Sequence, residues 1–243
     1  MAEDEIRKHA KAAIRAIKEP GKNWKHRLGD ILLEILIIIF AVSISIWFHN
    51  WAESWKDRTD EKEFLTGLKG DLQADLVEMK SDRASYERGL RGVSYFEQVG
   101  GGTPLNMDSL SLYMPLFFGY TQIDPRVSRF EALKGSGRFD IIRNKKLLLD
   151  ITDLYTKDIP AITTINIYSN DIRENKLLAY VTTHIQLEKN GDATNWQDML
   201  RTSEMRVLIK LAESAHNCIT YYSAGIAKSE KIIKEIDQEL DGR

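Results

Sequence analysis

The chain has 243 residues, of which 43% are hydrophobic, and its 34 Lys and Arg residues nearly balance 36 Asp and Glu residues. This length accommodates one ordinary domain with a sizeable core and some additional segments, but not a second full-sized domain. A chain with a net charge of -2 lacks the cationic field that nucleic-acid binding requires, so no nucleic acid is expected as a partner. The single cysteine, Cys218, excludes an intrachain disulfide and a cysteine-cluster zinc site.

The first 27 residues are basic. Apolar residues recur at helical spacing from Ile6 to Ile17, and Pro20-Gly21 ends the pattern. One interpretation is a short amphipathic helix on the inner leaflet of a membrane, and the other is a solvated cytoplasmic tail. Either interpretation assigns residues 1–27 to the cytoplasm.

An apolar block of about 18 residues covers residues 31–48 and contains one charge, Glu34. As a helix with a rise of ~1.5 Å per residue it covers about 27 Å, close to the hydrocarbon thickness of a bilayer. Tryptophans flank the block on both sides, as anchors at the two water interfaces do. These residues are Trp24, Trp47, Trp51 and Trp55. We therefore expect a transmembrane helix over residues 28–50.

Two alternatives compete with this prediction. A buried core helix has no reason to collect tryptophans at its ends. A cleaved signal peptide is favoured by the small residues Ala41, Ser43 and Ser45, but bulky residues follow them directly and the preceding segment is long. Residues 1–28 hold about eight Lys and Arg, against about four in the twenty residues after the span. The positive-inside rule then predicts a cytoplasmic N-terminus and an exported domain over residues 51–243.

Asp30 and Glu34 are spaced to share one helix face near the start of the span. Carboxylates inside membranes often mark ion paths, whereas carboxylates at the edge of a span are more often interfacial charges. Both interpretations remain open, and this face is the candidate for a contact with another helix inside the membrane.

The rest of the chain has helical periodicity. A leucine stripe beginning at Leu65 predicts that the span continues into the exported domain, and the sequence VGGGTP ends this helix. A short helix is expected from about residue 108, and two others cover RVSRFEALKGSG and the segment that begins after Asn144, the expected N-cap. Long helices are expected from about residue 161 to 184 and from about 203 to the end. The predicted fold class is all-α, an antiparallel helical bundle that continues a transmembrane helix.

The chemical signals favour no enzyme. The five histidines show no metal-ligand spacing, so no metal or cofactor is expected. Residues 134–138, KGSGR, fit a helix C-cap better than a phosphate loop. Cys218 belongs to a predicted core seam with Leu208, Leu211, Ala215 and Tyr222. Phe117, Phe118 and Tyr120 either line a pocket or form a satellite core cluster.

Two segments, GDILLEILIIIFAVSISIWFHNWAESWKDRTDEKEFLTGLKGDLQADL and FEALKGSGRFDIIRNKKLLLDITDLY, together cover about a third of the chain. They resemble a family of single-span envelope proteins of unknown function that is abundant in Bacteroidota. The matching residues are Gly29-Asp30, Asn50-Trp51-Ala52-Glu53, Phe130, Leu133, Ser136 and Gly137. His49 stands where the family often has a second Asn, and the apolar run lacks the family's glycine. The resemblance implies a membrane location and a helical architecture, and it implies no activity.

Three functional hypotheses follow. The first is a non-enzymatic, bitopic protein of the bacterial inner membrane that acts as an assembly, scaffold or accessory subunit of an envelope complex. Its partners would be the lipid bilayer and either a second copy or another envelope membrane protein. The second is a periplasmic ligand-sensing module that acts through a partner. The third is an ion-conducting or force-transmitting subunit that uses Asp30 and Glu34.

Overall fold

The computed structural model describes Ile14, residues 24–189 and residues 193–242. About 85% of the chain is helical, and the described residues form no β-strand beyond one isolated bridge between Leu187 and Ala193. The predicted all-α class is therefore confirmed. The prediction of an N-terminal amphipathic helix falls on residues 1–27, most of which lie outside the described part of the chain.

The first helix, α1, extends over Trp24–Gly100. The chain divides into two compact units, the first ending at Thr59 and the second beginning at Asp60. Within the second unit, the leucine stripe is buried as predicted, from Leu65 through Met79 and on to Tyr86 and Phe96. The helix ends where VGGGTP predicted it, and Gly102 follows with a φ of 118° that L-residues rarely adopt.

The remaining helices all belong to the second unit. They are α2 (Met107–Tyr113), α3 (Pro115–Phe118), α4 (Ser128–Ser136), α5 (Lys145–Asp153), α6 (Ile159–Asp171), α7 (Ala179–His184), α8 (Trp196–Arg201), α9 (Ser203–Leu211) and α10 (Ala215–Asp241). Short 3₁₀ turns cover Phe139–Ile141 and Ala212–Ser214. Segments of π-helix cover Leu154–Asp158 and Ile172–Leu178.

The apolar side chains of the second unit form two clusters. The first joins α1 up to Tyr86 with α4, α5, α6 and α10. The second joins the end of α1, from Val93 to Val99, with α2, α3, α7, α8 and α9. Charged and polar pairs join α1 to α10: Lys69 to Asp237 (2.5 Å), Lys80 to Glu230 (2.7 Å) and Asp82 to Tyr222 (2.9 Å). Because α1 contributes to both clusters, it is the element common to the whole core of this unit.

The predicted start of a helix near residue 161 is wrong, because the backbone remains helical from Lys145 to His184. Pro160 lies in the first turn of α6, directly after the π-helical segment Leu154–Asp158. A proline removes one helical hydrogen bond and is tolerated in a first turn, and a π-helical turn is a known local adjustment inside helices. The proline therefore changes the hydrogen-bonding pattern without ending the helix.

The predicted seam of the last helix is correct only in part. Ala215, Cys218 and Tyr222 are buried, but Leu211 is exposed and Ile209 and Ala212 are buried instead. The 3₁₀ turn at Ala212–Ser214 advances the chain by fewer residues per turn than an α-helix does, so it changes which residues face the core. The short helix α8, which buries Trp196, had no distinct sequence signal.

Candidate functional site

Residues 28–55 of α1 expose large apolar side chains around the whole circumference of the helix. Among the described helices, α1 contains the one stretch that is long and apolar enough to cross a membrane, and none of that stretch is buried. Exposed side chains include Leu36, Ile38, Phe40 and Val42 in the middle of the block. A helix that is apolar all round is typical of a membrane span or a deeply buried core helix. Here the side chains lie on the surface, so this segment is the candidate functional site of the first unit.

The aromatic side chains at the end of the apolar block form a continuous ladder. Trp47 contacts Phe48 with a centroid distance of 5.1 Å, Phe48 contacts Trp51 at 6.5 Å, and Trp51 contacts Trp55 at 6.0 Å. All three tryptophans are exposed. The ladder is what the four-residue spacing predicted for anchors at one interface. Trp24 begins α1, but its side chain lies outside the described residues.

Polar groups within the apolar block are few. Asp30 and Glu34 lie at its N-terminal end with exposed side chains, one turn apart on the same face. Ser45 donates a hydrogen bond to the carbonyl of Ala41 at 2.9 Å. This bond satisfies a hydroxyl that would otherwise be costly to place in hydrocarbon. The role of Asp30 and Glu34 as a contact inside the membrane stays a prediction.

The residues of the second motif lie around α4. Phe130 is buried and stacks on Tyr155 with a centroid distance of 4.8 Å, and Leu133 is buried beside it. Ser136 donates to the carbonyl of Leu133 at 2.8 Å, and Gly137 has a φ of 68° and donates to the carbonyl of Lys134. A glycine in the left-handed conformation is the usual end of a helix. The segment KGSGR is therefore a helix cap, as predicted.

The residues of the first motif lie in the exposed part of α1. Gly29, Asn50 and Glu53 are all exposed. The two motifs thus belong to different units, one to the apolar segment and the other to the packed helices.

A buried polar network that sequence reasoning missed lies in the second unit. Asn166 is completely buried, and its Nδ2 donates to the hydroxyl of Tyr86 at 2.8 Å. Its Oδ1 accepts from the hydroxyl of Tyr222 at 3.0 Å and from the backbone N–H of Ile123 at 3.3 Å. Burial raises the pKa of Tyr86 and of Tyr222, so both remain protonated and act as hydrogen-bond donors. The network ties α1, α6 and α10 to the loop before α4.

Side chains of α1 hold the same loop in place. Asp75, which is almost fully buried, accepts hydrogen bonds from the backbone N–H and the Nη1 of Arg126, the latter at 2.7 Å. Burial raises the pKa of Asp75, although the Arg126 guanidinium opposes this. Glu78 accepts from the backbone N–H of Asp124 at 2.8 Å. These bonds replace the backbone partners that a loop lacks, so their role is structural.

Cys218 is buried, and its thiol donates weakly to the carbonyl of Ile165 at 3.8 Å. Burial raises the pKa of this thiol, which disfavours the reactive thiolate. Within the described residues no three His, Cys, Asp or Glu side chains converge in a way that could hold a metal ion. Phe117 is buried between Phe96 and Trp196, whereas Phe118 and Tyr120 are exposed. Of the aromatic loop, only Phe117 therefore joins a core cluster.

Comparison of the chain with models of protein families, with curated proteins and with solved structures found no match in any of the three. The function therefore has to be inferred from the two units themselves.

Proposed function

We propose that the chain is a single-span membrane protein that acts as an assembly, scaffold or accessory subunit of a bacterial envelope complex. The observation that carries the proposal is the exposure of the apolar side chains of residues 28–55 on every face of α1. A partner protein that covered this segment would leave an amphipathic pattern, with one face polar. A bilayer surrounds a helix on all sides, so it favours the pattern seen here.

The proposed orientation places residues 1–27 in the cytoplasm and residues 51–243 outside it, in the periplasm. The excess of Lys and Arg before the span supports this orientation. The tryptophan ladder after the span supports an interface near Trp51. The membrane in this proposal is the bacterial inner membrane, which is also what the resemblance to single-span envelope proteins implies.

The proposed architecture of the exported part is an antiparallel helical bundle. Support comes from the order of the side-chain pairs between α1 and α10, where residue numbers rise along one helix as they fall along the other. The pairs between α5 and α10 follow the same order, since Lys146 pairs with Glu235 and Asp150 pairs with Lys231. Such long helices give a stiff connection from a membrane span to a packed domain, which suits a scaffold better than a catalyst.

An assembly role also needs surfaces for association. The contacting helices α6 and α10 carry exposed large side chains, Ile167, Tyr168 and Tyr221. Aromatic residues are enriched at protein interfaces. We expect this surface, together with the face of Asp30 and Glu34 in the span, to bind a second copy or another envelope protein.

Cysteine labelling tests the orientation. Cys218 is the only cysteine, so Cys218→Ala provides a background without reactive thiols. In that background we expect a membrane-impermeant maleimide, added to intact bacterial cells after the outer membrane is permeabilised, to label Ser111→Cys and not Ala2→Cys. Ser111 is exposed on α2. Labelling of Ala2→Cys alone would reverse the orientation, and equal labelling of both in intact cells would contradict a single stable span.

Native mass spectrometry of the full-length protein in nanodiscs tests the assembly role. A defined homo-oligomer, or a stable complex with another envelope protein, is the expected result. A monomer without a partner would contradict the assembly role and leave the membrane anchor intact.

A further inference from the structure

A cavity of about 120 Å³ lies in the second unit, beside the middle of the packed part of α1. Its lining includes Gly89, which lies between Tyr86 of the first apolar cluster and Val93 of the second. Leu116 of the second cluster and the loop residues Gly119 to Thr121 line the other sides. The cavity is therefore a gap between two packed regions of one unit.

Arg173 supplies the principal charge in this cavity. It lies in the π-helical segment Ile172–Leu178, between residues that are buried. Its Nη1 donates to the carbonyl of Gly119 at 2.7 Å and to the Oδ1 of Asn170 at 3.3 Å. Both acceptors are neutral, and no carboxylate of the described residues pairs with this guanidinium. Since arginine carries five N–H donors, most of its donors remain available.

The electrostatic surroundings of Arg173 support the same interpretation. Burial lowers the pKa of Arg173, as withdrawal from water does for any cation, while arginine still remains charged at neutral pH. A charge in such a place is costly unless an anion neutralises it. Segments of π-helix are rare and occur frequently at functional sites. The position of Arg173 in one is consistent with selection for its side chain.

A second arginine lines the cavity. Arg88 lies on α1 and forms no hydrogen bond or ion pair with any described residue, and its side chain is exposed. The lining contains no Asp or Glu, and it includes the hydroxyl-bearing residues Ser85, Tyr120 and Thr121. Two guanidinium groups without a nearby carboxylate create a positive potential, and hydroxyl groups can add hydrogen bonds to an anion.

We propose that this cavity binds a small oxyanion, a carboxylate or phosphate group, held between Arg173 and Arg88. The volume suits such a group and is smaller than the ~300–1,000 Å³ of sites for drug-sized ligands. The planar guanidinium presents paired donors that match the oxygens of carboxylate and phosphate. The site is independent of the proposed assembly role. It gives the hypothesis of a ligand-sensing module a place and a ligand class.

The test uses the full-length protein in nanodiscs of phosphatidylcholine. Thermal unfolding is followed as inorganic phosphate or acetate is added, with chloride at matched ionic strength as the reference, because general salt screening must be separated from binding. We expect phosphate, acetate or both to raise the unfolding temperature saturably and beyond the effect of chloride. A ligand that binds only the folded state stabilises it in this way.

Variants assign the effect to the cavity. Arg88→Gln removes a charge that makes no bond with the described protein, so the protein should fold normally and bind the anion roughly tenfold more weakly. Arg91→Gln, an exposed arginine one turn along the same helix, is the matched control and should bind as the wild type does. Arg173→Lys keeps the charge but loses the paired donors, so its affinity should also fall.

The proposal is overturned if neither anion stabilises the protein more than chloride. It is equally overturned if Arg88→Gln and Arg91→Gln bind as the wild type does. A last arm separates two sources of the oxyanion. If nanodiscs that contain phosphatidic acid produce the stabilisation without added phosphate, and Arg88→Gln abolishes it, the group comes from a lipid headgroup. If only the dissolved anions stabilise, the ligand is a free small molecule.

Discussion

Two parts of the same helix, residues 28–55 and residues 61–99 of α1, differ in where they place their apolar side chains. In the first part they project on all sides and are exposed, whereas in the second they recur every three or four residues and are buried. The backbone conformation is the same in both. The comparison shows that helix formation does not decide which surroundings a helix needs, and that the angular distribution of apolar side chains does.

The largest expected effect comes from phenylalanines placed in the two parts. Phe96 is completely buried and packs on Phe117 with a centroid distance of 5.0 Å, whereas Phe40 is 67% exposed. Phe96→Ala should destabilise the second unit by about 3–5 kcal/mol, because it removes buried area and leaves a cavity. Phe40→Ala should leave this stability unchanged. Urea unfolding of the full-length protein in micelles measures both, and equal losses would contradict the comparison.

A charge placed in each part has the opposite selectivity. Ile38→Arg lies in the middle of the apolar block, where an arginine costs about 2.5–3.5 kcal/mol of insertion free energy. The fraction of protein that resists alkaline extraction from membranes should therefore fall. Val77→Arg, at a position 72% exposed on the packed part of α1, should leave that fraction unchanged. If Ile38→Arg also stays in the membrane fraction, the apolar block is not the anchor.

The buried polar network gives a smaller effect. Asn166→Ala should cost about 1–3 kcal/mol, because it leaves the buried hydroxyls of Tyr86 and Tyr222 without a partner. Asn175, which is exposed and bonds to Asp171, is the matched control, and Asn175→Ala should change stability by less than about 0.5 kcal/mol. Chemical unfolding measures both variants. Equal effects would show that the network adds nothing beyond packing.

The smallest effect is a dependence on pH. Burial disfavours the charged form of Asp150, but hydrogen bonds and charge from Lys231 and Lys228 outweigh it and lower the pKa of Asp150 below its ordinary value of 3.8. A lowered folded pKa contributes stability that is fully present above 3.8 and is lost as the pH falls through the folded value. Asp150→Asn should therefore flatten the loss of stability below that pH. Urea midpoints measured from neutral to acidic pH check this, and identical acid limbs in both proteins would contradict it.

Local sequence signals predicted several features correctly because each depends on neighbouring residues only. Asn144 accepts from the N–H groups of Lys146 and Leu147 and begins α5, and Gly137 ends α4 in the left-handed conformation. The leucine stripe of α1 was predictable because its spacing matches the helical repeat. These signals also placed the start of α9 at Ser203.

Features that depend on distant residues were not predictable. Pro160 indicated a helix boundary, but the preceding π-helical turn keeps the chain helical, and nothing in the local sequence encodes that adjustment. Leu211 matched the seam by spacing, and the 3₁₀ turn after it changed the register. Asn166 is one polar residue in an apolar stretch, and its partners Tyr86 and Tyr222 lie 80 and 56 residues away. The pairing of Arg173 with the loop at Gly119 joins residues 54 apart.

The sequence by itself determined the all-α class, the apolar segment with its tryptophans, and the caps of the shorter helices, because periodicity, composition and capping act within a few residues. Only the tertiary structure decided which residues of those helices meet. It divided the core into two apolar clusters, buried a polar network between α1, α6 and α10, and left a cavity with two arginines where the clusters adjoin. The physical reason is that packing and charge neutralisation depend on distances in space between residues far apart in the chain.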